Sequence, residues 1–341
     1  MIWRDPLRTC KVKNKRLLLN MFLPLLSKES KEILEKFIKI KIPKFRNYLF
    51  DYIGFLKYLN LENLHFLIEE TLHLNYIQQD TMKQEVYKLL INRCSSLKHL
   101  NICQSYIPPF QDFPEVKNCF ANLHELRCTT DNDSSYLFEL AKICKSIQKL
   151  RIDCSNKENP GLIKLIEEQR NLKCFICVNF THNQNQQKLF EELLRVLSKN
   201  ARNLSYLKTC DWSRGICFPY SILKEFTNLT KLKLWDLNVQ QLEQQLRMSA
   251  FPKLQVLHLK YLSMLTLADI ISKTKGDLWK IKLYGIDRNK EHSGKLIQSI
   301  YLHCPNLRYV TIYVGYQDYI EVEQLLKYCQ KLEGIVFLNS F

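Results

Sequence analysis

From Leu97 onward the chain repeats one hydrophobic pattern. An apolar residue is followed by two variable positions, a second apolar residue, one variable position and a third apolar residue. The pattern is clearest in Leu97-Lys-His-Leu-Asn-Ile102, Leu229-Thr-Lys-Leu-Lys-Leu234 and Leu254-Gln-Val-Leu-His-Leu259. Ten copies begin at Leu97, Leu123, Ile147, Leu172, Leu204, Leu229, Leu254, Leu278, Leu307 and Leu332, spaced 24 to 32 residues apart. Side chains alternate along a strand, so the fourth and sixth positions share a buried face and the third, fifth and seventh share the other. Between the copies, Tyr136–Cys144, Lys188–Leu197 and Ile320–Cys329 place apolar residues at three- and four-residue steps, which predicts helices.

One strand and one return helix in roughly 20–29 residues is the unit of a leucine-rich repeat. The predicted fold is therefore α/β: a leucine-rich-repeat solenoid, a horseshoe with parallel strands on its concave face and helices on its convex face. Residues 95–341 hold about ten repeats, and residues 1–94 form a helical N-terminal cap. In that cap Ser27 is expected to cap a helix running into Glu32–Ile40, which Pro43 ends. Phe50–Leu59 and Met82–Cys94 also read as helices. The chain stops at Phe341, just past the tenth strand, without a polar closing repeat.

Composition refines this picture. Net charge is +16, and residues 1–60 alone carry 14 Lys/Arg against 5 Asp/Glu. Thirteen cysteines would suit a disulfide framework only in a short secreted chain. The apolar run Leu17–Leu26 is interrupted by Asn20 and Pro24 and lacks a cleavage site, so it does not read as a secretory signal. No run reaches the roughly 18 apolar residues of a spanning helix. The expected location is cytoplasmic or nuclear, with no membrane partner, and the sequons at Asn203 and Asn228 are incidental. Cys94, Cys144, Cys304 and Cys329 each precede a first repeat position by three residues, a packing role. Cys174 and Cys177 have no second ligand pair and should face opposite sides of a strand, so no metal site is expected.

The charge falls on one face. Fifth positions are Asn101, Arg127, Arg151, Ile176, Lys208, Lys233, His258, Lys282, Thr311 and Val336, with no acid among them. Third positions add Lys149, Tyr206, Lys231, Lys280 and Tyr309, and seventh positions add Trp235, Lys260, Tyr284 and Tyr313. A basic ladder with aromatic rungs is expected from Arg127 to Lys282. It suits an acidic or phosphorylated protein segment, and a nucleic acid second. No phosphate-binding loop, zinc-protease or nucleophile-elbow motif occurs, and the eight histidines do not cluster in sequence. No enzyme and no cofactor is expected. Asp211–Ile216, after the fifth of these strands, reads as a structural loop.

Met1-Ile-Trp-Arg-Asp-Pro-Leu7, Ser27–Leu34 and Leu49–Leu59, together with the cysteine-bearing repeats, resemble a family of fungal F-box proteins with leucine-rich repeats. Residues 1–7 are similar to the tail of that family's F-box. The resemblance implies the substrate-recognition arm of an SCF-type ubiquitin ligase, with an F-box holding a Skp-type linker and cullin. The F-box proper would lie upstream of Met1. Two readings stay open: an F-box preceding this sequence, or a repeat-only relative that binds without recruiting the ligase.

Overall fold

The structure is a computed structural model that describes residues 15–43, 51–72, 74–95, 97–103, 113, 115–155, 157–179, 187–211, 220–237, 239–285 and 292–339. The chain divides into two compact units, Met1–Gln148 with Asn159–Arg170, and Lys149–Glu158 with Asn171–Phe341.

The first unit opens with α1 (Lys15–Phe22) and α2 (Lys28–Ile33). Ser27 caps α2 as its spacing predicts, its Oγ accepting from the Ser30 amide at 3.0 Å. The helix winds on as a wider turn over Leu34–Ile38 and ends at Lys39, whose φ of 56° is left-handed. Three parallel strands follow, β1 (Tyr58–Asn60), β2 (His99–Asn101) and β3 (Glu125–Thr129), paired in register. Their return helices are α3 (Leu61–Thr71), α4 (Tyr76–Arg93), α5 (Val116–Phe120) and α6 (Ser134–Ile143), and α7 (Pro160–Glu167) belongs to the same unit. Asn60, Asn75, Asp133 and Asn159 cap α3, α4, α6 and α7.

One expectation is corrected here. The helix predicted over Phe50–Leu59 is a turn at 52–55 followed by strand β1; Phe50 itself lies outside the described residues. Leu56-Lys-Tyr-Leu-Asn-Leu61 is an eleventh copy of the repeat pattern, and Leu56, Leu59 and Leu61 are all buried. The 41 residues from Leu56 to Leu97 exceed any later spacing, which hid the copy.

The second unit continues with β4 (Lys149–Cys154), β5 (Cys174–Asn179), β6 (Tyr206–Asp211), β7 (Lys231–Trp235), β8 (Val256–Lys260), β9 (Lys280–Tyr284), β10 (Tyr309–Val314) and β11 (Gly334–Asn339). Each pairs in parallel with the next, at matching repeat positions. The returning helices are α8 (Gln187–Ser198), α9 (Val239–Arg247), α10 (Met264–Ser272), α11 (Ser293–His303) and α12 (Tyr319–Tyr328). Between β6 and β7 a 3-10 segment at Tyr220–Glu225 takes the helix's place. Burial alternates as the pattern requires: Leu232 and Leu234 on β7, Leu257 and Leu259 on β8, and Ile281 and Leu283 on β9 are all closed to solvent. This is a leucine-rich-repeat solenoid of parallel strands with helices on one face.

In several repeats the position three residues before the first apolar residue does more than fill space. Cys94, Cys144, Cys304 and Cys329 are buried as expected. The Cys94 thiol donates to the Leu56 carbonyl at 3.3 Å, Cys144 to Phe120 at 3.5 Å, and Cys329 to Cys304 at 3.7 Å. Gln169 fills the same slot, donating to the Cys144 carbonyl at 2.8 Å while its oxygen accepts from the Ile147 amide at 2.9 Å. These four turns are thus tied to the ones before them. Burial pushes the Cys144 and Cys304 thiols up to about 12 and Cys329 to about 11, so they stay protonated donors.

Among the described residues no helix is long and apolar enough to cross a membrane, and no group of His, Cys, Asp or Glu is placed to hold a metal ion. The Met1–Leu7 segment and Trp212–Ile216 of the expected loop lie outside the described residues.

Register and burial together make a stability prediction. Leu234 and Phe337 both occupy the sixth repeat position, yet Leu234 is fully buried and Phe337 is 50% exposed. Leu234→Ala should cost about 2–5 kcal/mol, and Phe337→Ala clearly less. Urea unfolding of the two variants checks this; equal losses would mean that β11 is covered in solution.

Candidate anion-binding strand face

The strand face turned away from the helices carries the residues expected to bind. In the first unit that face is mixed. Tyr58 stacks on His99 with ring centroids 3.9 Å apart, and His99 Nδ1 lies 2.9 Å from Glu125. Arg127 follows Asn60 and Asn101 in the adjacent fifth-position row.

In the second unit the face begins with Arg151, whose Nε donates to Asp153 at 3.0 Å. That acid sits at the seventh position of the same strand and faces the same way, so it neutralises the first rung. On β5 the rung is apolar. Ile176 and Val178 are buried with Cys210, and Tyr206, Cys174 and Trp235 pack against them.

The remaining residues converge. Lys208, Lys233, His258 and Lys282 align across β6 to β9. Tyr206, Lys231, Val256 and Lys280 form the row on one side, and Cys210, Trp235, Lys260 and Tyr284 the row on the other. Adjacent strands stand roughly 4.8 Å apart, so the ammonium groups lie within mutual reach. Lys208, Lys231, Lys233, Lys280 and Lys282 have no carboxylate within ion-pair distance among the described residues. Aromatic rings take part of the load. Lys208 Nζ lies 5.3 Å and Lys260 Nζ 6.0 Å from the Trp235 ring centre, and Lys233 Nζ lies 5.8 Å from that of Tyr206. Lys280 lies between Trp279 at 5.6 Å and Tyr309 at 5.3 Å. Tyr284 is exposed.

Two groups register the crowding. The Lys233 ammonium titrates below its ordinary range, first because of burial and then because of Lys208, Lys231, Lys280 and Lys282. His258 is pushed down to about 4 by burial and by Lys233, Lys282, Lys280 and Lys208, so its ring is neutral at pH 7. Of the expected basic and aromatic ladder, the structure thus gathers Tyr206, Lys208, Lys231, Lys233, Trp235, His258, Lys260, Lys280, Lys282 and Tyr284. Arg151 is drawn off by Asp153, and Arg127 belongs to the other unit.

Sequence reasoning passed over Trp279 and Tyr309 as supports for Lys280. Trp279 sits at a second repeat position, outside the three positions surveyed. It also lines an open groove of about 430 Å³ with Gln255, Asp277, Asn306, Arg308 and Lys331. Of the two cysteines three apart, Cys174 is half-buried on the open face, whereas Cys177 is buried with its Sγ 3.4 Å from that of Cys154.

No family model matches the chain, and a search of curated proteins finds no match. Similar solved structures include the Toll–Spatzle complex of Drosophila, at 13% identity and a TM-score of 0.41, covering 74% of this chain and 35% of that one. The complex of TLR13 with the RNA ssRNA13 follows at 14% identity and a TM-score of 0.40, covering 83% and 43%. The complex of Rad7 and Elc1 in yeast matches at 14% identity and a TM-score of 0.38, covering 96% and 89%. The chain thus spans about a third of the length of the first and somewhat under half of the second. These are distant likenesses, and the fold assignment rests on the strand register itself.

The lysine cluster predicts the behaviour of His258. Removing the cation with the largest effect on the ring with Lys233→Met should raise the His258 titration midpoint from about 4 toward the ordinary value of about 6.5. NMR of ring-labelled histidine reads this directly. An unchanged midpoint would show that burial alone sets it.

Proposed function

We propose that the chain is a protein-binding repeat module whose lysine-bearing strand face captures an acidic or phosphorylated segment of a partner. The observation that carries this reading is the set of five lysines on neighbouring strands with no carboxylate partner among the described residues. Like charges placed opposite one another on paired strands are destabilising, and an anionic ligand relieves that cost. Trp235, Tyr206 and Tyr284 beside the lysines supply aromatic contact area of the kind that anchors interfaces.

The resemblance noted for residues 1–7, 27–34 and 49–59 supports a finer reading. In it the captured segment belongs to a substrate, and the chain is the recognition arm of an SCF-type ubiquitin ligase adaptor. Contacts to a Skp-type linker and cullin then depend on an F-box preceding these residues. The alternatives are a repeat scaffold that does not recruit a ligase and a solenoid that binds nucleic acid.

The test is charge reversal with a matched control. Lys233→Glu/Lys282→Glu should weaken capture of Glu/Asp-rich and phosphoserine peptides by at least about tenfold, since charge-assisted hydrogen bonds are each worth ~1.5–3 kcal/mol. Lys224→Glu/Lys327→Glu changes the net charge equally on other surfaces and should leave capture intact. Equal capture by both double variants sinks the proposal. Tighter binding of generic single-stranded RNA, with a steep loss on adding salt, would move the assignment to nucleic acid. Co-purification of a cullin–linker complex would support the ligase role, and its absence the scaffold.

A further inference from the structure

His258 stands in register between Lys233 on β7 and Lys282 on β9. Its Nε2 is buried and has no hydrogen-bond partner among the described residues. A buried polar atom without a partner is costly, so such an atom on a binding face calls for an explanation. The two flanking lysines are tied to no carboxylate, so their side chains are free to turn toward an incoming anion.

We propose that Lys233, His258 and Lys282 form a seat for a phosphate monoester carried on a protein segment, with His258 taking up a proton as the anion binds. This rests on the reading of the strand face as an anion-capturing surface. The geometry favours the monoester by donor count. Lys233 and Lys282 are two strands apart, roughly 10 Å at the backbone, with the shorter imidazole between them. A monoester offers three terminal oxygens, one for each of the three donors. A carboxylate offers two in a single plane. A phosphodiester of a nucleic-acid backbone also offers two, with a single negative charge.

The charges around the ring set the sign of the proton linkage. Lys231 and Lys233 face it from β7, Lys280 and Lys282 from β9, Lys208 from β6, and Lys260 from its own strand; Tyr206, Cys210, Tyr284 and Tyr309 are further titratable groups on the face. The charges that lower the ring's affinity for a proton are all cations. A bound dianion offsets them and gives the imidazolium an acceptor, which raises the bound ring's pKa above the free ring's value of about 4. Binding therefore takes up a proton. Affinity rises as pH falls through the bound pKa and levels off below about 4.

Calorimetry at pH 7.5 and 5.5 tests this with three probes: inorganic sulfate, a phosphoserine peptide of otherwise uncharged sequence, and the same peptide with Glu-Glu in place of the phosphoserine. Sulfate keeps its charge over this range, so any pH dependence belongs to the protein. Its affinity should rise about three- to fivefold at the lower pH, and His258→Asn should lose that rise. The phosphoserine peptide should bind more tightly than the Glu-Glu peptide at both values. In parallel, sulfate should move the His258 NMR titration midpoint upward. A pH-independent sulfate affinity or an unmoved His258 midpoint overturns the proton-linked seat, and equal affinity for the two peptides overturns the monoester preference. In each of these cases the broader reading stands if Lys233→Glu/Lys282→Glu still abolishes capture of the Glu-Glu peptide. If the wild-type chain captures none of the three probes, both readings fall.

Discussion

Parallel strand pairing without a register shift governs the rest of this structure. The strand pairings join third position to third and fifth to fifth, from Tyr58 beside His99 to Thr311 beside Val336. Such pairing makes rows out of repeats. On the helix side the rows are mostly leucines and isoleucines, closed to solvent along most of the array, while Phe337 on β11 is half exposed. On the other side the same geometry lines up whatever the variable positions hold. The register has its own fastenings: Cys94, Cys144, Gln169 and Cys329 each donate back to a carbonyl in the preceding turn. Thiol and amide serve interchangeably because the slot needs a buried donor, whereas Phe226 and Phe251 fill it by volume alone.

The leucine face makes the lysine face tolerable. Lys208, Lys233 and Lys282 in one row, and Lys231 and Lys280 in the next, repel one another across strands that the core holds in place. A surface optimised for stability alone would alternate charges. Acids do appear beside bases elsewhere, at Arg151 with Asp153 and at His99 with Glu125. Their lack of counterparts on β7 to β9 makes this stretch chemically distinct. Trp235 lies beside both Lys208 and Lys260, and Tyr206 beside Lys233, which places ring faces where carboxylates would otherwise be expected.

Much of this was legible in the sequence, because a six-residue pattern with a near-constant period fixes both the strand and its facing. The parts that were not legible have definite reasons. Leu56–Leu61 carries the pattern, but Ile53, Leu56 and Leu59 also stand at helical three-residue steps, and β1 is only three residues long. Asp153 was readable as the neighbour of Arg151, two residues on and facing the same way, yet the survey counted acids only at fifth positions. The interrupted rung at Ile176 was visible as an apolar residue; its closure by Tyr206 and Trp235 depends on packing across two strands. The unpartnered Nε2 of His258 depends on which side chains crowd it, and no spacing rule encodes that.

Repulsion within the lysine rows also shapes how binding energy is distributed. In the free protein the core holds these cations together, and their repulsion adds to burial in lowering the titration of Lys233 and His258. An anion seated among them gains its own contacts and also removes this stored repulsion. The second contribution belongs to the scaffold, and it is present only while the strands stay in register. A flexible lysine-rich segment of equal charge would relax its repulsion by spreading out, and so would have nothing comparable to release. The leucine core and the proposed anion-binding face are in this sense one device: rigidity on one side is what would give the charge on the other its affinity.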